Sequence, residues 1–246
     1  MPDSSVSRWR LAAPSFVWPA GLAENCQRLQ TLVDEAALLF FETEACLAYG
    51  PHDLPLWLND LDLGYHVHMP LDLPWQNGPR EVVRTVTALA EKVAFVRPNG
   101  YVLHPPPEAK DLAAFYQAWI DRGFAGSDLL IENIEGNDLC RLWPELRMTE
   151  CSVCLDVGHL LLFDQWDLLQ QPGFSDRLAM LHLYGDQPGH GHASLACMTA
   201  NGRELTRTLL SRLPQGATIV LETFSPRELQ ESLDIFSTWV TNWGFQ

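Results

Sequence analysis

The chain has 246 residues, 47% of them hydrophobic, and 16 Lys and Arg against 31 Asp and Glu give a formal charge of −15. That length and apolar content suit one large α/β domain spanning residues 1–246 rather than a small module. The acidic balance argues against a duplex DNA partner, which needs a basic footprint to displace counterions. No run approaches the roughly 18 apolar residues of a membrane span, so no membrane partner is expected.

The opening residues, MPDSSVSRWRLAAPS, carry no apolar signal-peptide core, and a cytoplasmic location is the expectation. Six cysteines, Cys26, Cys46, Cys140, Cys151, Cys154 and Cys197, are scattered through a chain large enough to need no disulfide staples. They read as reduced thiols. Cys151 and Cys154 make one C-x-x-C without the second pair of a structural zinc site, which favours core thiols.

In chain order, strand-like apolar runs are expected at 11–17, 36–42, 63–69, 100–104, 128–133, 152–157, 179–184 and 217–223. Amphipathic stretches separate them: 22–33, 79–93, 108–122, 138–148, 201–213 and 226–243. The segment PHDLPLWLND (51–60) reads as a loop with a short helix at most. Pro79 and Pro226 suit a first helical turn, and Ser225 is placed to cap the last helix. Continuously apolar strands spaced by helices indicate a parallel sheet covered on both faces, and eight of them indicate a closed (β/α)8 TIM barrel. The Gly-rich phosphate loop of a doubly wound open sheet is missing after the first strand.

Polar residues fall where these strands would emerge, and a (β/α)8 barrel keeps its chemistry at those carboxyl ends. The second strand ends at Glu42, placed to orient a ligand, contact substrate or form a salt bridge inside the barrel. The third, GYHVH, puts His66 and His68 on one face, with His68 nearer the exit and His66 read as a hydrogen-bonded core residue. His104, Glu132, Asp156, His182 and Glu222 each end a different strand. His159 follows Asp156 by three residues, and Gly189-His190-Gly191-His192 forms a flexible loop after the seventh strand. His52 lies in a Pro-rich loop and reads as solvated or as a substrate contact.

Two glutamates and an aspartate converging in a barrel mouth carry desolvation and repulsion costs that cations remove. Imidazole mixed with carboxylate suits zinc, manganese or iron better than calcium. The metal candidates are therefore His68, His104, Glu132, Asp156, His159, His182, His190, His192 and Glu222, with Glu132, Glu222 and His159 the catalytic candidates. Bound cations would offset part of the negative charge locally, which keeps a small anionic substrate open.

The order His, His, Glu, Asp-x-x-His, His, a His-x-His loop and Glu resembles the xylose isomerase-like barrels that include endonuclease IV. In three-metal members of that superfamily the matching positions imply one ion on His68, His104 and Glu132. Glu132 would bridge to a second with Asp156, His182 and Glu222, and His159 with His190 and His192 would hold a third. The usual Asp-x-His loop element is His190-x-His192 here, a departure at the third site. The stretches GYHVHMPLDLPW, YVLHPP, LLIENIE, CLDVGHLLL, HLYG with GHGHASL, and LETFS together resemble the cobamide-remodelling phosphodiesterase family, CbiR. That resemblance implies metal-dependent hydrolysis of a phosphoester in the nucleotide loop of cobamides, the B12-type cofactors.

A multinuclear site suits that chemistry, and Trp57 and Trp75, in aromatic and Pro-rich loops, are candidates for contact with a large corrinoid or for packing over the rim. Two other functions remain open. A sugar isomerase or epimerase of the same superfamily would use one ion on Glu132, Asp156, His182 and Glu222. A noncatalytic corrinoid-binding or metal-storage protein would bind without turnover. Serine hydrolase chemistry lacks a G-x-S-x-G, and no cysteine has an evident histidine partner.

Overall fold

A computed structural model describes residues 8–187, 189 and 191–245. Eight strands, all parallel, close into a barrel in sequence order, β8 pairing back onto β1. They are β1 (Arg10–Pro14), β2 (Glu35–Leu39), β3 (Gly64–His68), β4 (Tyr101–Leu103), β5 (Leu129–Glu132), β6 (Ser152–Asp156), β7 (Leu178–Leu183) and β8 (Thr218–Leu221). The helices between and after them are α1 (Leu22–Leu29), α2 (Thr43–Leu47), α3 (Pro79–Val93), α4 (Ala109–Asp121), α5 (Trp143–Leu146), α6 (Val157–Leu162), α7 (Phe174–Arg177), α8 (Ala200–Arg212) and α9 (Pro226–Trp243).

Each strand feeds two cores because successive side chains point to opposite faces. One alternate set, Ala12, Ala37, Val102, Leu130, Cys154, Met180 and Val220, fills the inside of the barrel. The other, including Leu38, Val67, Leu103, Ile131, Leu155 and Leu181, packs under the helices. Small residues on β1 and β2 face larger ones on β5 and β7, so the interior fills without a pore.

The amino-terminal end of the barrel is closed by a polar network. Glu35 is fully buried and accepts a hydrogen bond from His66 at 2.5 Å, from Asn99 at 3.1 Å and from Thr218 at 3.4 Å, and ion-pairs with Arg10 at 2.9 Å. Burial disfavours the Glu35 carboxylate, but the His66 hydrogen bond, with the charges of His66 and Arg10, outweighs it and holds the carboxyl below its ordinary value. His66 thus has the core role expected of it.

Helices 79–93 and 226–243 run over the residues expected, and the Ser225 hydroxyl accepts from the Glu228 N–H at 3.2 Å. The helix expected over 138–148 is only α5. Ahead of it the Asn137 and Asp138 side chains accept from the N–H groups of Leu139 and Cys140, and Leu139 is left-handed at φ 65°. Such side-chain turns compete with helix. Segment 51–60 carries a short 3-10 helix, Leu56–Asp60. Residues 157–177, outside the expected helical stretches, form α6 and α7. The cysteines are free, with Cys151 and Cys154 buried. Among the described residues no helix is long and apolar enough to cross a membrane.

Candidate metal centre

The barrel register gathers the polar strand ends at one mouth. On β3, His68 is the inward residue next to the exit, and β5 ends on Glu132. On β6 and β7 the pairing shifts: Val153 pairs with Leu178 but Cys154 with Met180, leaving Ala179 as an extra residue. The shift sets Asp156 opposite His182. Without it His182 would face the helices, since a one-residue slip reverses every side chain. His104 and Glu222 follow the last residues of β4 and β8.

Three overlapping groups result, each with ligand atoms within 4.8 Å of one another: His68, His104 and Glu132; His68, His182 and Glu222; Glu132, Asp156, His182 and Glu222. Glu132 joins the first and third. Its Oε2 lies 3.0 Å from His68 Nε2 and 3.5 Å from His104 Nε2, while Oε1 lies 3.3 Å from His182 Nδ1. Glu222 Oε2 is 3.2 Å from the same His182 nitrogen.

The surrounding backbone aims these groups. His68 Nδ1 donates to the Met69 carbonyl at 3.0 Å, which turns Nε2 into the cluster. His159 Nδ1 donates to the Asn133 carbonyl at 3.0 Å, leaving Nε2 for a ligand. Asp156 caps α6 by accepting the His159 N–H on Oδ1 at 2.6 Å, and its own N–H and carbonyl are held by the Asn133 side chain. Histidine ligands of metals are commonly fixed this way, through the ring nitrogen that faces away from the ion.

Electrostatics fit a cation site. Burial opposes ionisation of Glu132, and the charge of His182 with the nearby imidazoles of His104 and His68 outweighs it, holding the carboxyl well below its ordinary range. Glu222 is likewise buried and is pulled down to about 2, chiefly by His182. Burial lowers both imidazoles, but Cys154, Glu222 and Glu132 raise His182 well above its ordinary value, and Glu132 and Glu222 raise His68. Asp156 goes the other way: burial, then the like charges of Glu132 and Glu222, push it up to about 7 against the pull of His159. Asp156 Oδ2, Glu222 Oε2, His192 Nδ1 and both His182 ring nitrogens are buried with no hydrogen-bond partner. Buried polar atoms are almost always partnered, and a cation satisfies this set at once.

The structure does not bring every expected residue into these groups. His159 Nδ1 is 3.3 Å from Asp156 Oδ2, and His192 Nδ1 is 3.7 Å from Glu222 Oε2, so both flank the cluster. His190 lies outside the described residues. Glu42 is exposed beside Phe41. Trp75 turns its ring against Phe115 of α4, 5.6 Å away, and belongs to the helical shell. Trp57, 41% exposed, lines a surface hollow with Gly21, Arg28 and Pro51 near α1, and exposed His52 lines the same hollow.

Aromatic residues that carry no imidazole or acid, and so no signal at the strand ends, also surround the site. Tyr184 is buried between His192 and His159, at ring distances of 4.3 and 6.3 Å. A Cβ on Gly158 would overlap its ring. Phe224 lies 5.1 Å from His192.

No protein-family model and no curated protein matches the sequence. Solved structures do match in shape. A D-tagatose 3-epimerase-like protein aligns over 96% of this chain and 98% of its own, with TM-score 0.74 and 14% identity. Endonuclease IV from Thermus thermophilus covers 95% of this chain and 99% of its own, with TM-score 0.69 and 18% identity. Another Thermus thermophilus protein, soaked with zinc chloride, covers 96% and 98%, with TM-score 0.68 and 20% identity. The fold is a closed (β/α)8 barrel, shared with these structures.

Proposed function

We propose that this chain is a metal-dependent phosphodiesterase that hydrolyses a phosphoester in the nucleotide loop of cobamides. The observation that carries the reading is Glu132, whose two oxygens face different donor sets. His68 and His104 would hold one ion with it; Asp156, His182 and Glu222 would hold a second. Zinc and manganese suit the mixed donors, with iron the next candidate. His159 and His192, with His190 of the same loop, would serve a third ion or the substrate phosphate. Divalent ions bound in this mouth would supply an acidified water and would neutralise charge on phosphoryl oxygens.

The protein's own groups do the rest. His68 and His159, fixed by backbone carbonyls, keep their Nε2 atoms in place without reorganisation. Glu222, with Oε2 3.2 Å from His182 Nδ1 and 3.7 Å from His192 Nδ1, would help hold the second ion and orient the attacking water. In the net reaction the water oxygen bonds to phosphorus. The bond from phosphorus to the leaving oxygen breaks with its electron pair, and a proton ends on the released alcohol. The resemblance of GYHVHMPLDLPW and the following strand ends to the cobamide-remodelling family supports this substrate, and an endonuclease IV among the fold neighbours supports phosphoester chemistry on such a barrel.

A sugar epimerase is the second reading. It is favoured by the self-contained group Glu132, Asp156, His182 and Glu222 and by the epimerases among the structural neighbours. It leaves His68 and His104 without a purpose. Incubating the metal-replete protein with coenzyme B12, with bis(p-nitrophenyl) phosphate and with a ketose, then identifying products by mass spectrometry, separates the two. Release of a cobinamide-type corrinoid is expected. Epimerised ketose with both phosphodiesters intact sinks the proposal.

A further inference from the structure

Three aromatic side chains at the barrel mouth have no part in the metal centre. Phe16, Phe41 and Phe224 follow β1, β2 and β8 within a few residues, so three adjacent strands deliver them to the same rim. Phe16 and Phe41 meet edge to face with centroids 4.9 Å apart, and Phe41 and Phe224 lie 6.4 Å apart. Phe41 and Phe224 stay 36% and 37% exposed, although rings of this size are normally buried. Leu71, 53% exposed, is tied to the same rim through its backbone, its N–H donating to the Phe41 carbonyl.

This apolar wall is continuous with the ion-binding cluster. Phe224 is 5.1 Å from His192, whose Nδ1 is 3.7 Å from Glu222. A phosphate held beside His192 by ions of the proposed centre would bring a substituent within reach of the wall over β8, β1 and β2. None of the four side chains there offers a hydrogen bond, so a polyol would lose water contacts against it without replacement. A flat apolar ring system would lose nothing and would gain stacking.

Resting on the phosphodiesterase reading above, we propose that Phe16, Phe41, Phe224 and Leu71 form the subsite for a flat apolar ring system that the substrate carries next to its phosphate. Two diesters with the same p-nitrophenolate leaving group test it: methyl p-nitrophenyl phosphate and 2-naphthylmethyl p-nitrophenyl phosphate. The metal-replete wild type is expected to favour the naphthylmethyl diester about 10-fold in kcat/KM, the effect of roughly one stacked ring. Phe41→Ala combined with Phe224→Ala brings the ratio near unity through KM. Phe41→Ala alone, which touches no candidate ligand, shifts it the same way. Met148→Ala, at an exposed residue on the loop entering β6, keeps the wild-type ratio.

A wild-type ratio near unity overturns the proposal, as does a wild-type ratio in the double variant. If neither diester turns over, the phosphodiesterase reading fails separately, and the wall is read by equilibrium dialysis of 2-naphthylmethyl phosphonate. Binding about 10-fold tighter to wild type than to the double variant supports the subsite. Equal affinities, or no binding to either, overturn it.

Discussion

His192 and Glu35 show how differently two polar groups behave at the two ends of one barrel. His192 sits at φ 50°, a left-handed conformation unusual for a residue other than glycine, with its Nδ1 buried and unpartnered. Strain and an unmet hydrogen bond together mark a residue held for a ligand. His192→Ala is expected to lower phosphodiester turnover at least about 100-fold, the scale of one lost electrostatic contact to the reacting group. An epimerase using only the Glu132, Asp156, His182 and Glu222 group would barely respond, so steady-state kinetics on both substrate types discriminates.

Glu35, by contrast, has every oxygen partnered. Its folded-state pKa lies below the ordinary value of 4.5, so its stabilisation is complete above pH 4.5 and is lost as the pH falls through the depressed value. Glu35→Gln is expected to cost on the order of 3 kcal/mol at neutral pH, at the low end for a broken buried pair because Arg10 keeps 43% of its side chain in solvent. Urea unfolding at several pH values checks this: the gap between wild type and variant narrows below pH 4.5. A gap that stays constant into acid contradicts the assignment.

At the level of elements, the local rules that build helices and strands are legible wherever a side chain acts on its own neighbours. Pro79, Ser225 and Pro226 mark helix starts the structure keeps. Ser225→Ala should cost about 1 kcal/mol, lowering Tm by about 2–4 °C in a chain this size. What depends on tertiary register is not legible. The extra residue at Ala179 that turns His182 inward leaves no mark in LAMLHL, because both faces of a buried parallel strand are apolar. Likewise Asp156 serves at once as strand end, α6 cap and site carboxylate, so VGHLLL resembles chain leaving a strand more than a helix. Gly158 belongs to the same turn: Gly158→Ala drives a Cβ into the Tyr184 ring and should destabilise by about 1–3 kcal/mol, measured by urea unfolding. Wild-type stability in that variant would mean Tyr184 is free to move from between His159 and His192.

For the whole molecule, the alternation of eight apolar runs with amphipathic stretches is enough to specify a closed parallel barrel, since few other architectures bury both faces of so many strands. Knowing the barrel in turn locates the chemistry. His68, His104, Glu132, Asp156, His182 and Glu222 come from six strands yet meet at one mouth. The aromatic wall and the substrate contacts are harder to see. Phenylalanines after strand ends look like any other core residue in sequence, and Trp57 and Trp75, candidates for corrinoid contact or rim packing, line a hollow near α1 and pack against Phe115.

One carboxylate, Glu132, is shared between the two proposed ion sites. The most direct test of that sharing is metal content by elemental analysis after saturation and dialysis, measured with phosphodiester turnover on wild type and on Glu132→Gln. At least two ions per wild-type chain are expected, with Glu132→Gln losing more than one ion and all measurable turnover together. A wild type holding a single ion, or a Glu132→Gln protein with unchanged metal content and activity, would contradict it.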